Sequence, residues 1–224
     1  MLKLDEGDHK AVTDAVREAE ARTDAEIVTV VAASSDSYHD VGLHYAVLAM
    51  LLVPAVWAVL PQDVVDWALA LVLGWNGVLT RGALMALIFV KLTAVFLVVR
   101  YALAYMPLRI ALTPGATKSR RVRRRALQYF KLAAERRTHG RTGVLLYLSL
   151  LEHRAEIVVD EAVLDKVPPE AWGDAMVALV DEVKAGRPGE GMGKAVRMMG
   201  DLLSVHLPKS DVDRNELPDR LVEL

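Results

Sequence analysis

Three hydrophobic regimes succeed one another along this chain. From Asp8 to Arg22, Val12, Ala15, Val16 and Ala19 recur at three- and four-residue spacing among charged residues, which predicts an amphipathic helix. Glu26 to Ala33 is β-branched and largely apolar, a strand. The alternation then stops. Val41–Leu60 runs twenty residues without a charge, and Gly82–Leu108 is nearly all apolar apart from Lys91 and Arg100. Between them Val64–Leu79 is apolar but short, with Asp66 near its start. Past Ser119 a helical period returns through Val122, Leu127, Phe130 and Leu132, with His139-Gly140 as its stop. Gly143–Leu150 is a continuous apolar run, the pattern of a strand covered on both faces. His153–Asp160 is a second strand, close enough to pair with it as a hairpin. Pro168 and Pro169 open a helix carrying Trp172, Met176, Leu179, Val180 and Val183. A last helix runs from about Gly189 to Leu207, and the polar tail 208–224 ends in a short apolar stretch.

The middle of the chain reads as membrane-spanning. Twenty helical residues at about 1.5 Å each reach about 30 Å, the thickness of a bilayer's hydrocarbon core. Pro54 is tolerable there, because neighbouring groups can satisfy the carbonyl it frees. Trp57, Trp67 and Trp75 stand near the ends of the runs, as aromatic belts do. Two crossings are expected, with 64–79 a non-spanning element. The flanks alone are too small: one helix and one strand in residues 1–40, and a single hairpin with helices after 111. Together, 1–40 and 111–207 are expected to form one small α/β (α+β) sandwich, interrupted by a transmembrane hairpin at 41–110. Both flanks must then lie on one side of the membrane.

Charge decides which side. The chain is 53% hydrophobic yet 25% charged, which requires segregation. Residues 1–40 and 141–224 each carry net −6, while 118–140 carry net +8, with five arginines between 120 and 125. A Lys/Arg cluster close to a span marks the cytoplasmic side. Arg109, Lys118, Arg120, Arg121, Arg123, Arg124 and Arg125 fit that description and would also attract anionic lipid headgroups. A nucleic-acid reading needs a recognisable binding fold beside the basic run, and no such motif accompanies it.

Little catalytic chemistry is visible. Without cysteine there are no disulfides and no thiolate ligands or nucleophiles. The first 40 residues show no continuous apolar core of a signal peptide. The six histidines lack paired metal spacing, and His153 beside Glu152 reads as a strand-surface residue. Gly189–Ala195 (GEGMGKA) imitates a phosphate loop. However, Pro188 stands where a glycine is needed and Ala195 where Ser or Thr is needed, so it reads as a loop and helix start. No serine nucleophile elbow is present. Lys91, deep in a span, is either a functional residue or one that snorkels to the outer interface.

The order helix, "TDAEIVTVVA", helix, "RTGVLLYLSLLEHRAEIVVDEAV", two helices and the closing "DRNELPDRLVEL" resembles the TPM domain family, in its bacterial branch with a transmembrane hairpin inside the domain. The resemblance implies a bacterial inner-membrane, multi-pass protein with the domain on the cytoplasmic face. Some members are described as acid phosphatases with bound calcium. Their Asp-Asn-Gly-Val and Gly-Tyr-Gly motifs are replaced here by Arg141-Thr142-Gly143-Val144 and Asp160-Glu161-Ala162. Glu152, Asp160 and Glu161 remain around the hairpin, with Arg154 beside them and Glu26 on the first strand. The three carboxylates would be either ligands of a divalent cation, calcium or magnesium, or solvated strand-end charges. The expected function is a scaffold or interaction module in a membrane assembly, with LemA-like proteins, another TPM protein or a second copy as partners. The alternative is a metal-dependent phosphatase.

Overall fold

The computed structural model describes residues 4–73, 80–133, 142–210 and 221–224. In chain order it contains α1 (Glu6–Glu20), β1 (Glu26–Ala32), α2 (His39–Val59), α3 (Gln62–Leu73), α4 (Arg81–Ala102), α5 (Met106–Leu112) and α6 (Gly115–Ala133). Then follow β2 (Gly143–Ser149), β3 (Arg154–Val159), α7 (Glu161–Leu164), a 3-10 turn (Pro169–Trp172), α8 (Gly173–Lys184), α9 (Pro188–His206) and β4 (Val222–Glu223). The chain divides into two compact units, one made of 1–36 with 114–224 and the other of 37–113.

The discontinuous unit is an α/β fold around a four-stranded mixed sheet of order β3-β2-β1-β4. β1 pairs in parallel with β2 from Glu26 opposite Gly143 to Ala32 opposite Ser149, so chain segments more than a hundred residues apart share one ladder. β2 and β3 form the antiparallel hairpin, with Val144 opposite Val159 and Ser149 opposite Arg154. β1 and β2 are buried along their whole length, because both faces of the sheet are covered. On one face Ile27, Val31, Leu146 and Leu148 meet Val16, Leu179, Met192 and Met199 from α1, α8 and α9. On the other, Val28, Val30, Leu145 and Tyr147 meet Val122, Ala126 and Phe130 of α6.

Several boundaries differ from the sequence expectation for identifiable reasons. α1 starts earlier, because Asp5 and Asp8 form a reciprocal capping box: the Asp5 carboxylate accepts from Asp8 N–H at 2.7 Å, and the Asp8 carboxylate from Asp5 N–H at 3.0 Å. α6 begins at Gly115 rather than Ser119. Its expected stop at His139-Gly140 lies outside the described residues. His153 is not on the strand surface. It occupies the β2–β3 turn with φ of 49°, in the left-handed region. The tail's apolar ending is β4, which extends the sheet by pairing Val222 with Val30 in parallel. The GEGMGKA segment contains no loop, since it lies inside α9 from its first turn. Gly189, Gly193 and Gly200 face α1, and Gly191 faces α8.

The second unit holds α2 to α5. α2 and α4 are 21 and 22 residues long and antiparallel. Gly42 near the start of α2 lies against Leu103 after α4, and Trp57 near the end of α2 meets Lys91. In its most apolar stretch α2 is only 17% buried and α4 not at all, with Phe89 70% and Val98 68% exposed. They are not core helices of this chain. α3 has twelve residues, about 18 Å of helix, and the rest of the expected non-spanning segment 64–79 lies outside the described residues.

Candidate functional site

Chain folding separates the expected carboxylates. Glu152 precedes β3 and Asp160 follows it, so six strand residues, roughly 20 Å, lie between them. Asp160 belongs to the other end of the sheet, where its N–H donates to the Gly143 carbonyl and its carboxylate caps α7 by accepting from Glu161 N–H at 3.3 Å. Glu26, opposite Gly143 in the β1–β2 ladder, shares that end. Glu161 is exposed. Among the described residues no group of three or more His, Asp or Glu side chains is placed to hold a metal ion. Glu152, Asp160 and Glu161 therefore do not fit a divalent cation as one set.

Glu152 instead anchors a buried polar cluster at the carboxyl ends of β1 and β2. One carboxylate oxygen accepts from Ser35 N–H at 2.7 Å and the other from the Ser149 hydroxyl at 2.6 Å. Ser35 Oγ is 2.9 Å from Ser149 Oγ and 3.0 Å from Tyr147 Oη. Burial pushes the Tyr147 hydroxyl above its ordinary value of 10.0, with the negative charge of Glu152 adding to the effect, while its bonds to Ser35 and Ser149 pull the other way. Tyr147 therefore remains a neutral donor. Ser35, Tyr147 and Ser149 carried no signal in the sequence, since Ser35 lies 117 positions from Glu152 and reaches it only through the β1–β2 pairing.

The arginines of α6 face three ways. Arg121 pairs with Asp36 at 3.0 Å, and Arg125 donates its Nε to the Ser35 carbonyl at 3.2 Å, so both hold the segment that leaves β1. Arg123 lies 3.7 Å from Glu156 on β3. Arg120 and Arg124 are exposed and Lys118 half-buried. Arg109 departs from the surface role expected for it. It is 4% exposed, bonded through Nη1 to His39 Nδ1 at 2.9 Å and through Nη2 to Met106 Sδ at 3.0 Å, and packed against Gly42.

Glu156 makes the arginine face testable by pH. Burial raises its carboxyl above the ordinary 4.5, outweighing Arg123 and Arg154, which lower it. A raised carboxylate stabilises the folded chain below its unfolded value, and that contribution is lost as pH rises through the folded value. Glu156→Gln should therefore match the wild type near about pH 4 and be the more stable protein at about pH 7. The thermal midpoints across that range measure the difference, and a variant less stable at neutral pH would contradict the sign.

Lys91 lies in the second unit. Its Nζ is 3.6 Å from the centroid of the Trp57 ring, in a cation–π contact. Side chains on a helix tilt toward its N-terminus, so this ammonium leans toward the α3 end of the hairpin, where Trp57 stands two residues before the end of α2.

No family model matches the chain, and no curated protein matches it. The fold defines the class of protein: an α/β domain on a small mixed sheet. Among solved structures, the NMR structure of the BA42 protein from the psychrophilic bacterium Bizionia argentinensis is similar, with a TM-score of 0.56 and 17% identity over 100% of both chains. At that identity the likeness is one of fold.

Proposed function

We propose that the chain is a membrane-anchored domain of the TPM type, acting as a scaffold or interaction module on the cytoplasmic face of a bacterial inner membrane. The observation that carries this reading is the pair of long apolar helices α2 and α4, whose side chains find little cover within the chain. A soluble protein rarely exposes an apolar surface of that extent, whereas a bilayer would cover it. The exposed Arg120 and Arg124 suit anionic headgroups or an acidic partner at that face. The bonds that Glu152 accepts from Ser35 and Ser149 favour a packing role over metal-dependent hydrolysis. Partners of this module would be membrane proteins, of LemA-like or TPM type, or a second copy.

Crosslinking with mass spectrometry on native membranes tests the reading. The chain should crosslink to a defined neighbour or to itself through the surface around Lys118. Protein extracted in mild detergent that ran as a lone monomer, with no crosslinked neighbour in the membrane, would remove the scaffold role.

A further inference from the structure

A cavity of about 270 Å³ lies within the hairpin unit, between the second half of α2, the face of α3 and the first half of α4. Val53, Pro54 and Trp57 line one side, Leu69 another, and Leu87 and Lys91 the third. Among the described residues every other lining side chain is apolar or aromatic, and Lys91 is the one ionisable group in the wall. Among the described residues no carboxylate lies within ion-pair distance of Lys91, whose ammonium rests on the face of Trp57. The acidic residues of 41–113 are Asp63 and Asp66 alone, both in the first half of α3.

An ammonium facing an apolar space gives up hydration, and a ring face replaces only part of it. An anion brought to Nζ would replace more, and the cavity beside it has the character of hydrocarbon. We propose that this cavity holds one acyl chain of an anionic amphiphile, with the carboxylate or phosphate of that molecule on Lys91. The volume selects the occupant. It falls just below the roughly 300–1,000 Å³ of ordinary small-molecule sites, enough for one hydrocarbon segment and too little for a whole two-chain lipid. This inference rests on the membrane reading of α2 and α4.

Native mass spectrometry of the full chain in neutral detergent tests it, with palmitate, phosphatidylglycerol and phosphatidylcholine as probes. The wild type should retain one molecule of palmitate or phosphatidylglycerol per chain, over phosphatidylcholine by about fivefold. Which anion is retained separates a free fatty acid from a lipid headgroup. Lys91→Met should erase the preference, and Leu87→Trp, which fills the cavity, should remove the adduct itself. A preference that survives Lys91→Met, or that disappears only with Arg120→Gln and Arg124→Gln, would overturn the proposal, as would retention of neither anion. Alkaline extraction of membranes, run on the same variants, separates the two failures. A chain that washes off refutes the membrane reading, whereas one that stays embedded with no Lys91-dependent adduct refutes only this site.

Discussion

Gly200→Ala should destabilise the α/β unit by about 2–3 kcal/mol, while Gly193→Ala, seven residues earlier on the same helix, should leave it as stable or gain about 0.5–1 kcal/mol. The difference comes from how closely α1 approaches α9. A Cβ on Gly200 would lie 2.5 Å from Ala19 Cβ and 3.0 Å from Ala19 Cα, so backbone would have to move. Ala19 is fully buried and cannot yield. At Gly193 the nearest atom is the Ala11 carbonyl oxygen at 3.7 Å, an ordinary contact, and alanine is the better helix former. In a chain of this length the loss at Gly200 corresponds to a midpoint lower by about 5–10 °C in a thermal melt. Equal midpoints for the two variants would mean that the helices are not held this closely. Close packing likewise accounts for Gly189 and Gly191 of GEGMGKA, where a Cβ would run into Asp8 of α1 and into Glu182 and Leu179 of α8.

Glu152→Ala should cost a similar amount, about 2–4 kcal/mol, because it strands the Ser35 N–H and the Ser149 hydroxyl in a buried site. Glu152→Gln keeps one acceptor oxygen and should cost less. A metal-ligand role predicts a different result: the wild-type midpoint would fall with a chelator, and Glu152→Ala would lose that response while folding normally. The geometry predicts no chelator response and a large loss of stability. Thermal melts with and without chelator distinguish the two, and a Glu152→Ala protein as stable as the wild type would sink this assignment.

What could be read from the sequence was whatever depends on local pattern. β1 and β2 are continuous apolar runs because helices cover the sheet on both faces, and a run of that kind is visible without its partners. α2 and α4 stand out by length and lack of charge. What escaped depends on distant partners. β4 is two residues long and exists only because the edge of β1 offers Val30 and Val31. Ser35 looks like any residue of a polar loop until β1 places it beside Ser149 and Glu152. The carboxylates around the hairpin looked clustered because Glu152 and Asp160 are close in number, yet an extended strand between them carries them apart. The arginines of α6 read as one basic patch, although Arg121 and Arg125 turn inward to hold the segment after β1. Arg109 has the spacing of that patch too, but it is buried against His39 and Gly42.

The proposed function requires the hairpin to cross a membrane twice, with both parts of the α/β unit on the arginine side. Translocating the cluster from Lys118 to Arg125 would work against the membrane potential, at about 2.3 kcal/mol per charge per 100 mV. The chain has no cysteine, so single cysteines report cleanly. Ser35 is buried and unsuited, but Glu18, Gln62 and Ser210 are exposed. In intact cells an impermeant thiol reagent should label Gln62→Cys alone, with Glu18→Cys and Ser210→Cys reacting only after the membrane is opened. Labelling of Glu18→Cys without Ser210→Cys would mean an odd number of crossings, which cannot coexist with β1 and β2 in one sheet, and labelling of Ser210→Cys in intact cells would contradict the arginine argument directly.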